Sequence, residues 1–135
     1  MATNKKTTKG AKNKQKLENE MEQQIKKTEK ALEIIQKENE RQEIIKTKTE
    51  IIREDLRNQL LSQKKFGKQF DDMVEDYIYF VRLKEDLQQD INDKGVRYLA
   101  QTGNGFKTSK TNESVQLLIK VNAQMLKILQ DLIIQ

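Results

Sequence analysis

Not one proline interrupts the 135 residues of this chain. A chain of this length ordinarily carries about 5% proline, and each one would break or kink a helix. Its absence leaves long helices as the natural state of whatever apolar periodicity the sequence holds. That periodicity starts at Leu17. Leu17, Met21, Ile25, Thr28, Leu32 and Ile35 follow steps of four and three, the spacing of a coiled-coil-like stripe. The polar insert Glu38–Glu43 weakens it, and Ile44/Ile45, Ile51/Ile52, Leu56 and Leu60/Leu61 resume it. Unbroken from Leu17 to Lys65, such a helix is about 73 Å long; the insert predicts a kink or fraying.

Two further helices are expected. Phe70–Gly95 begins with Asp71, Asp72, Glu75 and Asp76. Acids in a first turn complement the positive end of the helix dipole. Asp72 and Asp76 share a face and could also hold Mg²⁺, but no further ligand or general base stands beside them, so the helix-start reading prevails. Met73, Tyr77, Phe80, Leu87 and Ile91 form the seam of this helix, with Val74 and Val81 widening it and Gly95 as its C-cap. The last helix, Asn112–Ile134, opens on Thr111 or Asn112 as cap, with Glu113 in its first turn. Its seam is Val115, Leu118, Asn122, Met125, Leu129 and Leu132, and Val121, Ile128 and Ile134 extend the apolar face. An Asn in a seam either sets register or faces solvent. The connector Val96–Thr111, with Gly103-Asn104-Gly105 at its centre, permits a small hairpin.

The fold class expected is therefore all-α: a long N-terminal amphipathic helix (residues 17–65), then a central and a C-terminal helix as a helical hairpin (66–135). Leu, Ile, Val and Phe make up about a quarter of the chain and charged residues 35%. The first figure is above the roughly 20% below which a charged chain stays unfolded, yet it supplies only a thin core. Additional burial by self-association follows as an expectation.

Charge is unevenly placed. The net charge is +5, but residues 1–16 hold six lysines and no acid, leaving 20 basic against 21 acidic residues in the remainder. With almost nothing to bury, residues 1–16 are expected to be a disordered basic tail. Lys5, Lys6, Lys9, Lys12, Lys14 and Lys16 then form either a nucleic-acid arm acting by counterion release or a solubilising leader with no dedicated partner. A second basic spot, Lys64, Lys65 and Lys68, lies around Gly67 between Phe66 and Phe70. Helix, glycine turn and helix fit a helix-turn-helix reader weakly, because a plain helical hairpin needs the same residues.

Histidine and cysteine are absent. That excludes Cys–His or Ser–His–Asp catalysis and His/Cys zinc sites within this sequence, and it fits a reducing compartment. There is no GxxxxGK[ST] phosphate loop, no stretch of apolar residues long enough to span a membrane, and the N-terminal segment lacks the apolar region of a secretory signal. The expectation is a non-enzyme with no cofactor and no bound metal.

Two blocks of residues carry a family resemblance. Asp72-Met73-Val74-Glu75-Asp76-Tyr77, then Lys84, Leu87, Asp90-Ile91 and Gly95, followed by Asn112-Glu113-Ser114-Val115 and Lys120–Leu129, resemble the middle and second half of one family of phage terminase small subunits. The resemblance runs roughly from Arg53 to Leu132. It departs at the end, where Ile133-Ile134-Gln135 stands in place of a Gly and a basic or Pro-containing tail, and residues 1–50 carry little of it. The resemblance implies a homo-oligomer, as a ring, in the bacterial host cytoplasm. It also implies recognition of viral double-stranded DNA and delivery of that DNA to a separate terminase large subunit, which holds the ATPase and nuclease. The alternative from the residues alone is a helical protein–protein scaffold without DNA binding.

Overall fold

The computed structural model describes the backbone of residues 3–133 and the side chains of residues 9–132. Its elements are α1 (Thr3–Ser62), α2 (Lys68–Lys94), β1 (Arg97–Gln101), β2 (Lys107–Thr111) and α3 (Glu113–Ile133). The chain divides into two compact units, Met1–Glu43 and Ile44–Gln135, and α1 contributes to both.

In the first unit α1 is helical from Thr3, including the basic segment whose composition predicts disorder. The six lysines of that segment are good helix formers and no proline opposes them, although its threonines, its asparagines and Gly10 are poor ones. The insert Glu38–Glu43, where the stripe predicts a kink or fraying, is helical throughout. All of its residues but Asn39 favour helix, and Glu38 accepts from Gln42 Nε2 (2.7 Å) and Arg41 (3.4 Å), pairs at the spacing that supports a helix.

The second unit holds the core. Leu56 and Leu60 of α1 pack with Val74 and Ile78 of α2 and Leu132 of α3. Val81 and Leu87 of α2 pack with Val121 and Met125 of α3. Ile52 and Tyr77 touch both groups and join them into one layer; burial pushes the Tyr77 phenol up. The centre of α2 is thus Val74–Ile78–Val81, about one residue round from the expected Met73–Tyr77–Phe80 stripe, which is half-buried. The shift has a cause: α2 packs on α1 and α3 together, so its inner face is the line between two seams. Ile78, 2% exposed, lies on that line and belongs to neither expected seam.

On α1 the doubled isoleucines divide. Ile45 is buried and Ile44 exposed, Ile52 half-buried and Ile51 exposed. Thr49 is fully buried among them and satisfies its hydroxyl on the Lys46 carbonyl (2.8 Å). The contacts between α1 and α2 run antiparallel: Arg53 and Arg57 reach Glu75, and Lys48 reaches Glu85. Contacts that continue this far from the turn are those of a helical hairpin, not of the steep crossing of a helix-turn-helix. On α3, Val121, expected at the edge, is buried with Met125 and Leu132, while Asn122 is half-buried.

The all-α expectation needs one correction. The connector forms an antiparallel two-stranded hairpin, with Arg97 opposite Thr111 and Gln101 opposite Lys107. Its turn closes through Gly105 N–H to the Thr102 carbonyl (3.0 Å), with Gly105 at φ 80°. Glycine is the residue that takes this conformation without strain.

Ile78→Ala is expected to destabilise the fold by about 2–5 kcal/mol, the range for a buried Ile cut to Ala. Ile44→Ala, one position from the buried Ile45 but exposed, is expected to stay within about 0.5 kcal/mol. Chemical denaturation at matched protein concentration compares them.

Candidate nucleic-acid interface

Three groups of residues bear on the candidate site, and they are built differently. The first is the lysine run at the start of α1. Lys9, Lys12, Lys14 and Lys16 are exposed along the helix; the side chains of Lys5 and Lys6 lie outside the described residues. Lys9, Lys12 and Lys16, three and four positions apart, share one face of the helix while Lys14 stands off it; exposed ammonium groups of this kind suit phosphate contacts that carry charge without reading bases.

The second group is the turn between α1 and α2. Leu60 and Leu61 carbonyls accept from Lys65 N–H (2.9 Å) and Lys64 N–H (3.1 Å), which closes α1 as a Schellman motif. Lys64 occupies the left-handed position of that motif at φ 57°. Glycine normally sits there, and a Cβ in that region costs roughly 1–2 kcal/mol. Gly67, which the sequence marks as the turn, instead stands immediately before α2 at φ 133° and gives it no side-chain cap. Of the three lysines here, Lys64 and Lys68 are exposed. Lys65 is half-buried and donates from Nζ to the Leu132 carbonyl (2.7 Å), a cation at the negative end of α3. Its ammonium ties the α1–α2 turn to the end of α3, so Lys64 and Lys68 are the cations this turn presents outward.

The third group joins α2 to α3. Gly95, at φ 81°, ends α2 as expected and donates to the Ile91 carbonyl (2.7 Å). Asn112, 3% exposed, is the cap of α3: its Oδ1 accepts from Ser114 N–H (3.0 Å) while its Nδ2 donates to the Gly95 carbonyl (2.9 Å). Its own N–H donates to the Val96 carbonyl (2.8 Å). Ser114 Oγ donates to Asp90 Oδ2 (2.6 Å), and Lys94 stands 3.2 Å from the other oxygen. The Ser114 hydroxyl, then the Lys94 ammonium and the Asn112 amide, hold the Asp90 carboxyl below its usual range against the opposing effect of desolvation. The sequence identified Asn112 as a possible cap; the cross-link from Asp90 to Ser114 had no local signal, because it depends on α2 and α3 running side by side.

The acids at the start of α2 have ordinary structural surroundings. Glu75 takes a two-pronged contact from Arg53 (Nε 2.8 Å, Nη2 3.2 Å) and lies 3.5 Å from Arg57. The Arg53 hydrogen bonds hold its carboxyl below the usual range. Asp72 and Asp76 are exposed, and no group of three or more acidic side chains among the described residues is arranged to hold a metal ion. No helix among the described residues is long and apolar enough to cross a membrane.

Searches against protein-family models, curated proteins and solved structures returned no match for this chain.

Asn112→Ala removes a cap and leaves the Gly95 carbonyl without its amide partner, so denaturation is expected to show a loss of about 1–2 kcal/mol. Lys64→Gly relieves the left-handed strain and is expected to raise stability by roughly 1 kcal/mol. The folded-state carboxyls of Glu75 and Asp90 titrate lower than in the unfolded chain. Their contribution is therefore fully present above the ordinary carboxylate range and is lost as pH falls through their folded values. Glu75→Gln with Asp90→Asn is expected to flatten the acid limb of a stability–pH curve and leave its slope near neutrality unchanged.

Proposed function

We propose that this chain is the small subunit of a phage terminase, a non-enzymatic DNA-binding oligomer that brings viral DNA to a large ATPase/nuclease subunit. The observation that carries the reading is where the two resembling blocks meet. Asp90 and Gly95 come from the first block, Asn112 and Ser114 from the second, and they form one hydrogen-bonded cluster. The residues behind the resemblance are thus the ones that fix α2 against α3, as expected if the resemblance reflects a shared helical framework. Its DNA contacts are assigned to the lysine run of α1, with Lys64 and Lys68 as additional cations. Self-association is favoured by large apolar residues left exposed on α3: Leu117, Ile119 and Leu126.

The second reading is a helical protein–protein scaffold without DNA binding. It is favoured by the exposed stripe Leu17–Ile35, which is a surface for protein and not for phosphate.

Two measurements separate the readings. Deleting residues 1–16 is expected to flatten the log–log salt dependence of DNA binding by up to about 0.9 for each phosphate that the tail neutralises. An unchanged slope removes the tail from the interface, and no DNA binding at low salt favours the scaffold. Mixing the protein with the neighbouring large subunit is expected to yield a complex with stimulated ATP hydrolysis. Absence of both rejects the packaging assignment.

A further inference from the structure

The hairpin β1–β2 is held at its base and free at its tip. At the base the Asn112 N–H donates to the Val96 carbonyl (2.8 Å) and the Asn112 side-chain amide to the Gly95 carbonyl (2.9 Å). At the tip the Thr102 N–H (2.7 Å) and hydroxyl (2.9 Å) both donate to the Phe106 carbonyl, which fixes the backbone there while the Phe106 ring stays 73% exposed. Strands of five residues make a ribbon about 17 Å long.

The charge of this ribbon has one sign. Val96–Thr111 carries Arg97, Lys107 and Lys110 and no acid, whereas the rest of the second unit holds 12 basic and 13 acidic residues. None of the three cations is in an ion pair among the described residues. Arg97 is oriented on the ribbon by Ser109 Oγ (3.0 Å) and the Thr111 hydroxyl (3.5 Å). The strand register puts Arg97 and Lys107 on one face and Lys110, opposite Tyr98, on the other, so cations flank the ribbon on both sides.

We infer that this ribbon enters the major groove of the DNA that the chain binds, with Arg97, Lys107 and Lys110 on phosphates of the two flanking backbones and Phe106 against base edges. The inference rests on the proposed reading of the chain as DNA-binding and adds a contact separate from the lysine run of α1. The major groove, about 12 Å wide, admits a two-stranded ribbon, and an apolar side chain there packs against a thymine methyl. Phosphates on both walls match cations on both faces.

Lysine on an edge strand also guards against pairing with another sheet, and both strands of this sheet are edges. Edge protection accounts for Lys107 and Lys110. It does not account for a solvent-facing phenylalanine at the tip, nor for the lack of a single acid in 16 residues, since charge of either sign guards an edge. A polyanion with an apolar feature on its floor accounts for all three.

The full-length protein carrying Lys107→Gln with Lys110→Gln is compared, on a mixed-sequence DNA duplex across a salt series, with one carrying Lys120→Gln and Lys127→Gln. The second pair removes the same charge from exposed positions of α3. The hairpin pair is expected to reduce the log–log salt slope by up to about 1.8 and the α3 pair to leave it unchanged. Phe106→Ala is expected to weaken binding about tenfold at every salt concentration without changing the slope, because it removes apolar burial and no charge. An equal loss of slope in both lysine pairs, or a wild-type slope in the hairpin pair, overturns the ribbon while leaving the lysine run as the DNA contact. Full affinity in Phe106→Ala overturns its placement against the bases. A wild-type protein that binds no duplex at low salt removes the DNA reading itself, and the ribbon with it.

Discussion

The second unit depends on one requirement: α2 must bury two faces at once. Val74 and Ile78 fill the space against Leu56, Leu60 and Leu132, and Val81 and Leu87 fill that against Val121 and Met125. A thin, highly charged chain has few large apolar side chains, and placing the best-packed of them on the shared line of α2 lets one helix serve both neighbours. At about 1.5–3 kcal/mol for each fully buried aliphatic side chain, these residues supply much of the driving force for a unit this small. The surrounding polar contacts set direction. Lys48–Glu85 and Arg53–Glu75 fix how α1 lies on α2, and surface pairs of this kind add little stability individually.

The ends of the helices repeat this division of labour. Asn112 is buried, uses its side-chain oxygen on α3 and its amide on the Gly95 carbonyl, and so links a helix end to a helix start. Lys65 does the same at the other end of the unit, reaching from the α1–α2 turn to the Leu132 carbonyl. Between α2 and α3 the hairpin β1–β2 is almost wholly exposed. A two-stranded hairpin is marginal alone, and here its ends are held by the α2 C-cap and the Asn112 cap.

Much of this was legible in the sequence and some was not, for physical reasons. The three helices, the stop at Gly95, the opening of α3 at Asn112 and the option of a hairpin at Asn104-Gly105 all follow from local chemistry. The central line of α2 does not, because periodicity gives a stripe and the exact facing depends on two neighbours. Ile78 was missed on that account, and so was Thr49, a polar residue that can be buried because the helix itself satisfies its hydroxyl. Among the candidate DNA contacts, sequence could group Lys64, Lys65 and Lys68 but could not separate them. Lys65 is distinguished only by a partner 67 positions away along the chain.

If the two-faced burial of α2 holds the unit together, α2 is the most stable element of the chain. Native-state hydrogen exchange resolved to single amides reads that stability residue by residue. The slowest exchange is expected across Val74–Leu87, approaching the rate set by global unfolding, with the β1–β2 hairpin exchanging much faster. Amides of Val74–Leu87 that exchange as fast as those of the hairpin would contradict it.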